Sequence, residues 1–256
     1  MTNSTSEYDA SGLAERYGSV QEQITEACRL ADRNRDEVTL IVVSKFHPAD
    51  LVLNLIELGQ RDFGENKDQE AGPKSAQVAD ALAGLGRADE VPTWHFIGQL
   101  QSNKAKSVLR YASSIHSLDR LSLLEALAKE RNKIAVLAQE NGIPIAPATK
   151  VFIELNLTDD PDRGGIVPSN LLSFAELVLA APGLDLVGVM GVASLEGQEE
   201  RDFAAIQKAS ADLQRIAPEA NLISAGMSND FQTALRFGAT HLRIGTAITG
   251  PRQYLT

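Results

Sequence analysis

Lys45 is the first residue of this chain that calls for a chemical explanation. It closes the run TLIVVSK, Thr39 to Lys45, where β-forming residues lead into a primary amine, and HPADLVLNLIELG follows with helical spacing. A lysine entering a semi-apolar site loses solvation of its charged form, which favours the neutral amine that attacks carbonyls. It can equally snorkel to solvent, and the strand alone does not decide between the two. Toward the other end, SAGMSNDFQTAL places Ser228 and Asp230 at the start of a helical pattern, and RIGTAITG supplies Gly245 and Thr246. Backbone N–H groups at such positions hold phosphate, and glycine admits it close to the chain. Each stretch alone is explained by a helix cap or a turn. Together, a phosphate cradle and a lysine able to form a Schiff base describe the needs of pyridoxal 5′-phosphate (PLP).

These residues need a scaffold that brings distant segments to one place. Short β-rich runs alternate with helical patterns, which predicts βα units and a parallel sheet. The predicted strands are 39–45, 61–66, 93–100, 113–118, 150–157, 184–194, 221–227 and 241–248, after a leading helix from Leu13 to Asn34. About eight strands close a (β/α)8 TIM barrel, whose C-terminal strand ends carry the chemistry. The expectation is therefore an α/β fold, a single barrel domain over 13–256 with an extra N-terminal helix, behind a flexible tail at 1–12. The Gly/Ala-rich segment 71–92 reads as helix plus loop. At the barrel mouth this arrangement would gather Lys45, Glu65, Asn66, Gln99, Gln101, Asn103, Met190, Ser194, the GMSND turn and Arg243.

Composition narrows the function classes. With 43% hydrophobic residues in 256, a sizeable core is available. A formal net charge of −10 argues against nucleic acid or an anionic membrane as partner, so an anionic ligand needs a local positive site. No apolar run reaches membrane-spanning length, and the polar first residues lack the core of a signal peptide. The single cysteine, Cys28, reads as a small buried side chain in a reducing compartment, which predicts a cytoplasmic protein. His47, His95, His116 and His241 lack short metal-ligand spacing, so supporting or surface roles are expected and no metal. LTDDPDRGG reads as a solvated loop, Trp94 and Phe96 as packing residues, and Glu65 as a hydrogen-bond partner to the barrel floor.

The segments VSK, FGEN, WHFIGQLQSNK, HSLD, GVMGVAS, SAGMSND and FGATHLRIGTAITG, in order from about Val38 to Gly250, resemble the YggS/PROSC family of pyridoxal phosphate homeostasis proteins. The resemblance implies one barrel like the N-terminal domain of alanine racemase, without that enzyme's second β domain. It implies that Lys45 carries PLP as an internal aldimine, with Asn66 near the linkage and Met190 beside the pyridine ring. Ser228, Gly245 and Thr246 would hold the phosphate and Arg243 would face the ring nitrogen. The implied function is a PLP carrier or buffer without turnover, a monomer meeting apo PLP-dependent enzymes transiently. Departures fall at SLD (Ser117 to Asp119), AITG (Ala247 to Gly250) and Arg163, where relatives usually carry a lysine. Two alternatives stand beside this reading, a PLP-dependent amino-acid racemase and a Schiff-base aldolase using Lys45 without cofactor. Racemisation needs acid and base groups on both faces of the reacting carbon. Of the four tyrosines only Tyr254 lies near the mouth by sequence, whereas Tyr8, Tyr17 and Tyr111 do not, so no catalytic residue is expected.

Overall fold

The structure, a computed structural model, describes residues 12–158, 160, 163–194 and 197–250. The expected tail at 1–12, apart from Gly12, lies outside the described residues, as do Tyr8, Tyr254 and part of the LTDDPDRGG loop. Helix α1 (Leu13–Leu30) leads into β1 (Thr39–Val43), α2 (Ala49–Glu57), β2 (Asp62–Glu65), α3 (Asp68–Gly84), β3 (Thr93–Phe96), α4 (Ala105–Val108) and β4 (Ala112–Leu118). There follow α5 (Leu121–Glu140), β5 (Thr149–Glu154), α6 (Leu171–Leu179), β6 (Leu184–Met190), α7 (Glu199–Gln214), β7 (Leu222–Ser224), α8 (Phe231–Arg236), β8 (His241–Ile244) and α9 (Thr246–Thr249). Each strand pairs in parallel with the next, and β8 pairs with β1, Val42 opposite Ile244, to close the barrel. This is the expected (β/α)8 barrel with its N-terminal helix.

Several elements are shorter than their sequence patterns. Predicted strands 39–45, 93–100, 184–194 and 241–248 stop at Val43, Phe96, Met190 and Ile244. Past those points the chain stays partly buried, and so keeps apolar residues, but it leaves the parallel ladder; Ala247 and Ile248 turn into α9. The leading helix ends at Leu30 rather than Asn34, and Asp32 with φ 54° turns the chain out of the helix. The segment 71–92 is mostly helical, because α3 begins at Asp68 and runs to Gly84.

The apolar core lies chiefly between strands and helices, where Leu40 and Val42 of β1 join Leu51, Val52 and Leu55 of α2 and Ile24 of α1. Inside the barrel the apolar cluster is small, with Phe152, Val187 and Met190 buried and Leu222 packed against them. Such interiors are normally filled by branched aliphatic side chains. Here His95, His116, Ser224 and Arg243 are buried as well, and buried polar groups need hydrogen-bond partners.

Candidate functional site

Lys45 lies beyond β1, not within it as the sequence suggested. The strand stops at Val43, and Ser44 to His47 form a turn closed by the His47 N–H on the Ser44 carbonyl at 3.1 Å. Lys45 takes the second position of this turn and Phe46 the third, with φ 68°. That left-handed conformation costs a non-glycine residue about 1–2 kcal/mol and persists only when its surroundings enforce it. The surroundings here are polar and buried. Lys74 Nζ donates to the Ser44 carbonyl at 2.8 Å, to Glu65 Oε1 at 2.7 Å and to Glu70 Oε1 at 3.1 Å. Ser44 Oγ donates to Glu65 Oε1 at 2.7 Å, and the Phe46 N–H donates to Glu70 Oε1. Burial pushes the Glu65 carboxyl upward, and Lys74 and Ser44 oppose the shift. Glu65 therefore faces α3 at the mouth end of β2 and has no part in a barrel floor. The amines of Lys45 and Lys67 lie 5.9 and 5.7 Å from the centroid of the Phe46 ring, within cation–π range.

A second network runs through the barrel interior. Arg243 donates through Nη1 to the Ser224 carbonyl at 2.7 Å and hydroxyl at 2.6 Å, and through Nη2 to the Gly191 carbonyl at 3.0 Å. Ser224 Oγ meets His116 Nδ1 at 2.8 Å, His116 Nε2 meets His95 Nδ1 at 3.0 Å, and His95 Nε2 meets Asp62 Oδ1 at 2.9 Å. The Arg243 guanidinium can only donate and the Asp62 carboxylate can only accept. With neutral imidazoles, one arrangement then satisfies every atom: Arg243 to Ser224, Ser224 to His116, His116 to His95 and His95 to Asp62. Burial holds His116 well below the usual histidine range and pushes His241 down to about 3. The Phe152 ring stacks on His116 at 4.2 Å between centroids. Burial also pushes Arg243 down to about 10, with Glu154 and Asp230 opposing, so the guanidinium stays charged at neutral pH.

Around these networks the remaining candidates follow or end their strands at the same end of the barrel. Asn66 follows β2, and its Oδ1 is buried without a hydrogen-bond partner. Gly98 crosses so close that a Cβ there would overlap the Asn66 backbone. A cavity of about 650 Å³, lined by Asn66, Lys67, Gln99, Gln101 and Lys104 among others, opens beside them. Met190 ends β6 in register with Glu154 of β5. Ser228 sits in the turn from Met227 to Asp230, ahead of α8 rather than within it; Asp230 Oδ1 accepts the Met227 N–H at 2.5 Å. Gly245 joins β8 to α9 against the end of β1, since a Cβ on it would lie 3.5 Å from that of Val43. Thr246 opens α9 and is exposed. The structure thus brings Lys45, Asn66, Met190, Ser228, Arg243, Gly245 and Thr246 to one barrel mouth.

Glu70, Lys74 and Glu154 were not singled out in the sequence. Burial raises Glu154 to about 7, and its Oε2 is buried without a partner. The only signal for it was position, a carboxylate ending a buried strand. Trp94 and Phe96 are packing residues as expected, with Trp94 5.8 Å from Phe63 between ring centroids. Cys28 is buried. Three of the four histidines line the interior, whereas His47 lies in the turn after Lys45. Among the described residues no group of three or more His, Cys, Asp or Glu side chains could hold a metal ion, and no helix is long and apolar enough to cross a membrane.

Comparison with known proteins agrees with this fold. The family model for the alanine racemase N-terminal domain matches residues 18–253. The pyridoxal phosphate homeostasis protein of Mycobacterium bovis is 35% identical over 248 residues, covering 95% of this chain and 94% of that protein. Its Escherichia coli counterpart is 34% identical over 246 residues, covering 94% and 97%. Among solved structures, PipY of Synechococcus elongatus with PLP bound superposes with a TM-score of 0.75 at 31% identity, covering 93% of this chain and all of that one. Alanine racemase from Corynebacterium glutamicum shares the fold at a TM-score of 0.63 and 15% identity, and this chain spans 61% of it. The chain belongs to the alanine racemase N-terminal domain family, and within it to the pyridoxal phosphate homeostasis proteins.

Proposed function

We propose that the protein binds PLP at the barrel mouth and acts in PLP homeostasis, holding the cofactor for other proteins without turning over amino acids. The observation that carries this reading is the closeness of the β8 exit to the β1 exit. Gly245 lies against Val43, two residues before Lys45, so the β8 exit that would take the phosphate adjoins the turn that carries the amine. The residues present fit the group. Lys45 offers the amine, and the unpartnered Asn66 Oδ1 at the neighbouring β2 exit offers a hydrogen-bond acceptor. Arg243, locked from behind by Ser224 and Gly191, presents a fixed positive charge to a ring nitrogen. Ser228 and the backbone of Gly245 and Thr246 would take the phosphate, and Met190 would pack beside the ring. When bound, PLP supplies an aldehyde that condenses with a primary amine, releasing water, and a pyridine ring that withdraws electrons. Arg243 limits the second property, because a guanidinium is a poor proton source and keeps the ring a weaker electron sink than a carboxylic acid partner would. Recipients would be apo-enzymes of the cytoplasm, met transiently by a monomer.

The test is a visible spectrum of the purified protein with PLP, before and after borohydride, followed by peptide mapping. The expected adduct is on Lys45 and disappears in Lys45→Ala; an adduct on Lys67 or Lys104 instead would overturn the assignment. The same sample, incubated with L-amino acids in deuterated water and read by chiral chromatography and mass spectrometry, is expected to show no appreciable inversion or α-deuteration. Rapid inversion that depends on Lys45 would favour a racemase, with Glu154 as the acid or base that the sequence did not reveal.

A further inference from the structure

We infer that Lys74 and Glu70 of α3 are positioning residues for Lys45, forming with the backbone a ring that fixes where its amine points. The inference rests on the reading of Lys45 as the residue that takes PLP. Lys74 Nζ holds the carbonyl of Ser44, immediately before Lys45, at 2.8 Å. Glu70 Oε1 accepts the N–H of Phe46, immediately after Lys45, and the two side chains meet at 3.1 Å. The Lys45 backbone is thus gripped on both sides by one ion pair from a neighbouring helix. Glu65, 0% exposed, anchors the ring from β2 by accepting from Lys74 at 2.7 Å, and Ser44 Oγ ties the turn to the same oxygen.

The left-handed Phe46 shows what the ring accomplishes. A turn with positive φ at its third position ordinarily carries glycine or asparagine there, and phenylalanine has no local reason to adopt it. A strained residue beside a functional one persists when the surroundings over-determine it. Here the enforcing contacts reach the peptide groups on either side of Lys45, so the constraint acts on its direction. Lys74 is 5% exposed and bound by two carboxylates and a carbonyl, so it is spent as a donor and does not compete with Lys45 for an aldehyde.

Capture of PLP joins Lys45 Nζ to the aldehyde carbon with loss of one water and no change of oxidation state, and the ring acts on its rate by pre-orienting the amine. Lys74→Met would strand the buried Glu65 carboxyl and can fail to fold, so Glu70→Ala, at a side chain 26% exposed, carries the test. Three measurements are made: hydrogen exchange of the Phe46 amide without cofactor, the rate of PLP capture, and the pH midpoint of the visible band. In Glu70→Ala, with the circular dichroism spectrum unchanged, amide exchange is expected to rise and capture to slow by about tenfold each, and the midpoint to move. Glu70→Gln, which keeps an acceptor for the Phe46 N–H, is expected to restore part of both rates. A general loss of stability would not move the midpoint of the band. Unchanged exchange at Phe46 in Glu70→Ala would refute the ring whatever PLP does, and unchanged capture and midpoint would refute its effect on Lys45. Absence of any Lys45 adduct in the unsubstituted protein would instead refute the reading of Lys45 and this inference with it.

Discussion

At the scale of single residues, a protein of net charge −10 must recognise a phosphate through local groups, because its overall field repels anions. Ser228→Ala is accordingly expected to weaken PLP by about tenfold, the worth of one hydrogen bond to a charged group, and to leave unphosphorylated pyridoxal nearly unaffected. Equal weakening of both ligands in a titration would count against the cradle. The buried titratable groups set the pH behaviour. His241 sits near 3 in the native protein, below its unfolded value of about 6.5, so its stabilising contribution is complete above that value and falls with pH. Between pH 7 and 5 this costs about 2 kcal/mol, and His116 acts in the same direction. Glu154 acts oppositely. Its native value of about 7 lies above the unfolded 4.5, so the native state takes up the proton first and gains about 2 kcal/mol over the same interval. Glu154→Gln removes that offset, and its urea midpoint is expected to fall between pH 7 and 5 more steeply than that of the unsubstituted protein. Parallel falls would show that Glu154 does not titrate there.

At the scale of elements, Gly98 is where the exits of β2 and β3 touch. A methyl group there meets the Asn66 backbone, which cannot yield without parting the two segments. Gly98→Ala is expected to cost about 1–3 kcal/mol in a urea titration and to weaken PLP binding; an unchanged midpoint would mean that the loop yields freely. The same scale explains what could be read from the sequence. The strands were legible because their cores, such as Leu40 to Val43, are short apolar runs with few alternatives. Their ends were not, since an end is set by whether a neighbour offers backbone partners, which no local pattern states. Lys45 and the glycine-rich β8 exit stood out because their residue types are costly in those places. Lys74 did not, because a lysine on an amphipathic helix looks solvated until the packing of α3 on β2 buries it. The relay from Asp62 to Arg243 was hidden for a related reason. It joins strands in register, His95 opposite Ser114 on β4 and Met190 opposite Ser224 on β7, and register follows only from the closed barrel.

At the scale of the whole molecule, α1 braces the far side of the site, where Arg16 Nε donates to the Ile248 carbonyl of α9 at 2.8 Å. Ligand binding and barrel integrity are therefore linked. A ligand at about a hundred times its dissociation constant stabilises the native state by about 2.7 kcal/mol, which for a chain of this size raises Tm by roughly 5 °C. PLP is expected to produce such a shift, and Lys45→Ala to lose most of it; a full shift in that variant would show that binding does not need the amine. The pairing of β8 with β1 carries a consequence for biosynthesis. Lys45 follows the first barrel strand to leave the ribosome, whereas Arg243 lies on the last and Gly245 and Thr246 follow it. At about 5–20 residues per second, the nascent chain would carry the amine proposed to take PLP for roughly 10–40 s before the groups proposed to select a phosphorylated aldehyde exist. During that interval any aldehyde would meet an unselective amine beside an open strand edge. On that proposal, retention of PLP distinguishes chains that have closed the barrel from those that have not.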